Sequence, residues 1–300
     1  MTGGRDVVAI VGAGRLASAM ARAIAGTSGV RVVIAARRPK AAGRLAREVK
    51  GARAAPIERA VAAASIVLLA VPDRSIAPLA RELAPLRDSW RGVVALHGAG
   101  AYGPELLSAL ALRGAATGVL HPLAVLAGGA PPSAAFARIE GAATARAAAR
   151  RLARLAGLVP LSGRGLETPR ARRAYHAAAS LASNDVVALL AAAHRVLVRH
   201  GVPDRQAWQA VVSLASGALS SVRRGGAGKA LTGPVVRNDA ATLRGQLAAL
   251  ASHDPEARAA HRALSVILVD VAVASGRLSE KDGVGLLRRL ARGRGRLQQV

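Results

Sequence analysis

The chain contains no cysteine among its 300 residues. That removes disulfides, thiolate nucleophiles and cysteine-ligated zinc or iron–sulfur centres. Aromatic residues amount to 2 %, too few for the stacking platforms on which single-stranded nucleic acids are held. Acidic residues are scarce: 17 Asp and Glu stand against 43 Lys and Arg, a formal net charge of +26. A basic excess of that size points towards polyanions. Here, however, the positive residues are nearly all arginine, spread through every helical segment and mixed with alanine. No helix-turn-helix, zinc or RNA-recognition pattern accompanies them, so the excess reads as compositional habit and no specific nucleic-acid partner is expected. No uninterrupted apolar run approaches the roughly 18 residues a membrane span needs, so no membrane partner is expected. The first apolar stretch, Val7–Val11, is short, follows Asp6 and ends in glycine, unlike a secretory signal. The cytoplasm is the expected compartment.

What is present begins with Val8-Ala9-Ile10-Val11-Gly12-Ala13-Gly14-Arg15-Leu16-Ala17. A buried strand, a tight turn and a helix N-terminus follow one another at once, with the spacing G-x-G-x-x-A of a dinucleotide grip. Gly12 permits the turn, Gly14 leaves room for a pyrophosphate, and Ala17 lets the helix lie close to the strand. The unpaired amides opening that helix, at Arg15 and Leu16, favour a phosphate. About 20 residues beyond such a loop, an acidic residue holding the ribose 2′-hydroxyl marks NAD. This chain reads Ala36-Arg37-Arg38-Pro39 there. Guanidinium forks suit a 2′-phosphate instead, so NADP(H) is the expected cofactor.

Apolar strands alternate with amphipathic helices up to about residue 160, and from Pro169 onward only helical patterns recur. The expected fold is an α/β N-terminal Rossmann domain, with a mostly parallel doubly wound sheet, plus an all-α C-terminal domain. The boundary is expected near Ser162–Thr168, giving domains of 1–165 and 166–300. A Gly- and Pro-rich loop is expected at His121–Ser133, and a single long helix at Ala171–His200.

Further stretches carry a resemblance over nearly the whole chain. They are Ala70-Val71-Pro72-Asp73, Leu120-His121-Pro122-Leu123, Tyr175-His176-Ala177-Ala178-Ala179 with Ser183-Asn184, and Ala230-Leu231-Thr232-Gly233-Pro234-Val235-Val236-Arg237. With the glycine loop, they make the chain resemble Rossmann-like proteins with a helical C-terminal domain of unknown function (family 2520). Those are distantly similar to pyrroline-5-carboxylate reductase and deazaflavin-dependent NADP reductases. The resemblance implies a two-domain NADP-dependent oxidoreductase, dimeric through the helical domain, and names no substrate. This chain has Arg237-Asn238-Asp239 where the family usually reads Arg-Gly-Asp, and Gln246 where it often has histidine. Compared with the β-hydroxyacid dehydrogenases, Ser180 stands where their catalytic lysine precedes Asn184 by four residues.

Hydride transfer asks the protein for cofactor placement, a substrate anchor and a proton donor or acceptor. On one helix His176, Ser180 and Asn184 form a stripe, and with His121 they are the catalytic candidates. Val71, Pro72, Asp73 and His97 are expected to line the cofactor, with Asp73 alternatively a helix cap. Tyr175, Thr232 and Arg237 are the candidates for holding a small-molecule substrate in an interdomain cleft. No metal-ligand spacing stands out. The expected reaction is reduction of C=N or C=O, or its reverse. A prephenate-type dehydrogenase and a non-catalytic NADPH sensor are the alternatives.

Overall fold

The computed structural model describes residues 6–126, 135–163 and 165–291. Eight strands form one sheet: β1 (Asp6–Val11), β2 (Val30–Ala35), β3 (Ala52–Ala54), β4 (Ile66–Leu69), β5 (Val94–His97), β6 (Ala116–Leu123), β7 (Phe136–Gly141) and β8 (Val159–Pro160). Their order is β3-β2-β1-β4-β5-β6-β7-β8. Strands β1 to β6 are mutually parallel, β7 is antiparallel to β6, and β8 is parallel to β7. Among the described residues six α-helices lie in the connections: α1 (Arg15–Ile24), α2 (Pro39–Glu48), α3 (Ile57–Ala63), α4 (Asp73–Leu83), α5 (Ser108–Ala111) and α6 (Ala143–Leu155).

The sheet is covered on both faces, as the continuous apolar runs in its strands require. Alternate residues choose opposite sides. Val8 and Ile10 pack with Met20 and Ile24 of α1 and with Ala145, Ala149 and Leu152 of α6. Ala9 and Val11 pack on the other side with Val61, Ile76, Leu83 and Trp90. Burying each large side chain fully contributes about 1.5–3 kcal/mol. Trp90 is 0 % exposed, and its indole N–H donates to the Ala84 carbonyl.

Six helices follow: α7 (Pro169–Leu181), α8 (Asn184–Arg199), α9 (Asp204–Ala230), α10 (Ala240–Ala251), α11 (Pro255–Ala274) and α12 (Glu280–Ala291). The chain divides into two compact units, Met1–Ser180 and Leu181–Val300. The helix α7 thus packs with the sheet, beyond the linker at Ser162–Thr168. The second unit has its own small core, Val235, Leu243, Leu247, Val269, Leu286 and Leu290.

Two expectations are corrected. The segment His121–Leu123 completes β6, where it pairs with Arg138, Ala137 and Phe136, instead of opening a loop; residues 127–134 of the expected loop lie outside the described residues. The single helix expected over 171–200 is two helices, α7 and α8, separated at 182–183. Ser183, with φ −132° and ψ −77°, leaves helical geometry, so the register that would align His176, Ser180 and Asn184 is interrupted. By composition, 169–199 also holds a stretch of mean hydropathy 1.4, an average taken across the α7–α8 break and not an uninterrupted apolar run.

Candidate active site

The glycine turn is built at the carboxyl ends of β1 and β4, where the strand order reverses and ligands of open α/β sheets bind. Gly12 has φ +140°, and a Cβ there would sit 2.1 Å from the Ala70 carbonyl oxygen. No side chain fits at that crossing. A Cβ on Gly14 would meet nothing within 4 Å; it would enter open space, which a ligand can occupy. Ala17 is 0 % exposed against the core. Leu16 packs on Gly98, where a Cβ would come 2.1 Å from its Cδ2.

A cleft of about 410 Å³ opens beside this turn, lined by Gly12, Ala13, Gly14, Arg37, Arg38, Arg44, Val71 and Pro72. Arg15 lines a neighbouring hollow with Ser18 and Arg22. Arg37 and Arg38 are both exposed, and Arg37 pairs with Glu82 at 3.1 Å. Arg44, on the first turns of α2, is a third guanidinium at the cleft that sequence reasoning passed over. Its signal was position: one to two turns beyond Arg38, facing the same way. The glycines, the helix N-terminus and the arginines together fit a 2′-phosphorylated dinucleotide. Asp73 opens α4 without a side-chain capping bond.

A second constellation lies on β5, β6, β7 and α7. His121 Nδ1 is 3.0 Å from the Tyr175 hydroxyl, and its ring stands edge-on to His176 with centroids 6.0 Å apart. Both histidines converge on Gly100: a Cβ there would fall 2.5 Å from His176 Nδ1 and 2.8 Å from His121 Nε2. Burial, reinforced by the Arg138 charge and then by His176 and His97, pushes His121 down to about 4. It is therefore a neutral imidazole at neutral pH. Burial raises the Tyr175 phenol above its ordinary value, with Arg138 opposing.

His97 stands apart from this chemistry. It is 0 % exposed, and burial holds its pKa below the usual value. The Ala99 N–H donates to its Nδ1 at 3.1 Å, so its Nε2–H donates to the Gly103 carbonyl at 2.8 Å. Both ring nitrogens are used to shape the 97–103 loop.

Beneath the histidines, Glu140 accepts from Arg138 at Oε2 and from Arg172 at both oxygens, Oε1 and, at 3.1 Å, Oε2. Arg172 also reaches Glu105 at 3.3 Å. Arg138, Glu140 and Arg172 are all buried. Sequence reasoning missed them, although Arg138-Ile139-Glu140 carried a signal: opposite charges two apart in a strand share one face.

Ser180 closes the first unit, and Asn184 is exposed at the start of α8 in the second. Thr232 and Arg237 are exposed between α9 and α10. Asp239 caps α10, accepting from the Thr242 N–H at 2.9 Å. Asn238 has φ +53°, a conformation glycine or asparagine tolerates best. Asparagine is thus compatible with the left-handed backbone at this position. Gln246 Oε1 lies 3.2 Å from His261 Nε2. Among the described residues no cluster of three potential metal ligands occurs.

Residues 1–122 match a Rossmann-like domain, and residues 135–267 match a domain of unknown function (DUF2520). No curated protein matches the chain. Solved structures share the fold. A Bacteroides fragilis protein named as an NADP oxidoreductase is 21 % identical, covering 89 % of this chain and 99 % of that one, with a TM-score of 0.69. The 1-pyrroline-5-carboxylate reductase of Streptococcus pyogenes is 14 % identical, covering 94 % and 98 %, with a TM-score of 0.57. The reductive aminase of Aspergillus terreus, solved with NADPH and ethyl-5-oxohexanoate, is 18 % identical, covering 96 % and 93 %, with a TM-score of 0.58. The chain thus carries, in order, a Rossmann-like domain and a DUF2520 domain.

Proposed function

We propose that the protein is an NADP(H)-dependent oxidoreductase that reduces a C=N or C=O bond of a small metabolite. The observation that carries this reading is one sheet edge bearing two sites. The glycine turn with its arginine-lined cleft stands at the ends of β1 and β2, and the His121–Tyr175–His176 cluster stands on β6 and α7. NADPH would supply the hydride. The arginines would distinguish its 2′-phosphate, each charge-assisted bond contributing roughly 1.5–3 kcal/mol. His121 and Tyr175 supply a proton at Nε2 or the phenol oxygen, and His176 flanks them. Several fold neighbours are named as reductases of imines or related compounds, and one was solved with NADPH, which supports the same reading.

The test is NADPH consumption against a panel of cyclic imines, ketones and keto acids, with His121→Asn and Tyr175→Phe beside the parent. Turnover that falls at least about tenfold in both variants, a loss of 1.4 kcal/mol or more, supports the assignment. Wild-type turnover in both removes the pair from the chemistry. Tight NADPH binding with no turnover on any compound favours a sensor, and NADP reduction by hydroxy acids alone favours the dehydrogenase direction.

We further propose a homodimer through the helical unit. Helix α8 buries none of its residues within the chain. Val187, Val212, Leu214, Leu219 and Ile267 of α8, α9 and α11 are exposed, and exposed apolar side chains gathered on one set of helices are what a subunit interface buries. Light scattering at the dimer mass, lost on Leu214→Asp, supports this; a monomer at micromolar concentration contradicts it.

A further inference from the structure

Arg138 occupies a position that a purely structural ion pair does not require. It lies on β7 directly across from His121 on β6, and its guanidinium carbon is 5.7 Å from the centre of the Tyr175 ring. One nitrogen binds Glu140. Another donates to the Tyr102 carbonyl at 2.6 Å and to the Ala99 carbonyl at 3.3 Å. The side chain is 3 % exposed. Burying ions costs several kcal/mol each, and an apolar replacement is often no less stable. Loop anchoring alone is therefore a weak reason for a cation at this depth.

Arg138 is the leading charge on both members of the His121–Tyr175 pair, and Glu140, which binds it, opposes it. His121 faces Arg138 from β7, His176 from α7 and His97 from β5, and Tyr175 faces Arg138 and His121. Glu140 is shared with Arg172, and Glu105 with Arg172 alone. A second proton on His121 would meet positive charge; a negative charge on Tyr175 would meet a guanidinium across its ring face.

Resting on the reductive reading above, we propose that Arg138 is a positioning residue that makes Tyr175 the proton reservoir of the pair. The phenol donates to His121 Nδ1, so the imidazole carries its proton on Nε2, the nitrogen directed to Gly100 and His176. As the reduced substrate's nitrogen or oxygen takes the Nε2 proton, Nδ1 takes the phenolic proton. The imidazole stays neutral throughout. One N–H bond and one O–H bond break, one substrate bond to hydrogen and one N–H bond form, and the negative charge rests on the Tyr175 oxygen, stabilised by Arg138. Water then delivers a proton to Nε2 while Nδ1 hands its own back to the phenolate, which restores the starting tautomer. No oxidant or reductant beyond the hydride donor is needed.

The experiment uses the full chain without substrate or cofactor. The protein has two tyrosines, so Tyr102→Phe leaves Tyr175 as the single reporter. Biosynthetic difluorotyrosine, a more acidic phenol, is titrated by fluorine NMR, and nitrogen NMR reads the His121 tautomer. Arg138→Gln should raise the phenol midpoint by about one unit or more, a tenfold change in acidity. Arg138→Lys should restore most of it. Glu140→Gln, which leaves Arg138 less neutralised, should lower the midpoint, so the test survives if Arg138→Gln does not fold. His121 should carry its proton on Nε2 in the parent. A midpoint indifferent to these changes in folded protein overturns the proposal, as does a proton on Nδ1. The expected shifts without NADPH consumption on any substrate would remove the reductase reading while leaving the charge coupling. NADPH consumption with an indifferent midpoint would do the reverse.

Discussion

Gly100 is where the two histidines meet the main chain, and its missing side chain is what lets them. A Cβ there would press on His176 Nδ1 and His121 Nε2 at 2.5 and 2.8 Å. Gly100→Ala should therefore leave the fold and the cofactor cleft alone while moving both rings. Displacements of that order cost up to about a hundredfold in rate. The expected outcome is a turnover loss of about ten- to a hundredfold with NADPH affinity kept within about twofold, read by steady-state kinetics beside a binding titration. Parent-like turnover would show that ring placement at Gly100 is immaterial. The residues nearest this chemistry were unevenly legible. The glycine spacing and the missing acid before Pro39 announce themselves, because each follows from backbone or charge geometry. Arg138 and Arg172 do not, because a chain holding 43 basic residues hides two buried ones among many solvated ones.

At the scale of elements, the arginines acquire a structural use. Arg87 donates to the Val61, Ala62 and Ala64 carbonyls at the end of α3, at 2.9, 3.1 and 3.1 Å. Arg277 does the same for Gly228, Lys229 and Leu231 at the end of α9. Arg262 reaches the Leu290 and Ala291 carbonyls at the end of α12. A cation there satisfies unpaired carbonyls and complements the helix dipole. Asn238 is the counterpart in the loop before α10. Its amide nitrogen donates to Asp282 at 3.0 Å, and its amide oxygen accepts from Arg289 at 3.1 Å, tying α12 to the loop. Asn238→Ala should lose about 2 kcal/mol of stability, combining left-handed strain with lost hydrogen bonds. Asn238→Gly should lose less than the alanine variant, and equal losses in denaturant unfolding would contradict this. The break between α7 and α8 was illegible, since Leu181-Ala182-Ser183 contains neither proline nor glycine. The eight strands were legible because apolar runs ended by turn residues are a strong signal; that β7 reverses direction was not.

For the whole molecule, stability should depend on pH through its buried histidines. The unfolded chain takes up protons on them near pH 6.5, whereas folded His121 does so only near 4. The folded values of His97 and His261 are lowered by burial in the same direction. The unfolded state thus binds more protons in that window, so stability is fully present above pH 6.5 and falls as pH drops towards 4. Urea unfolding across the window should show this slope, and His121→Asn should flatten it; an unchanged slope would place the dependence elsewhere. Both the glycine turn and the His121 cluster belong to the sheet-containing unit, so cofactor binding and proton placement can be measured on the same domain. The most direct measurement is a paired titration of the protein with NADPH and NADH, repeated on Gly14→Asp. The expected result is saturable NADPH binding, at least about tenfold tighter than NADH, abolished when the carboxylate fills the space beside Gly14. Equal affinity for the two cofactors, or NADPH binding that survives Gly14→Asp, would contradict it.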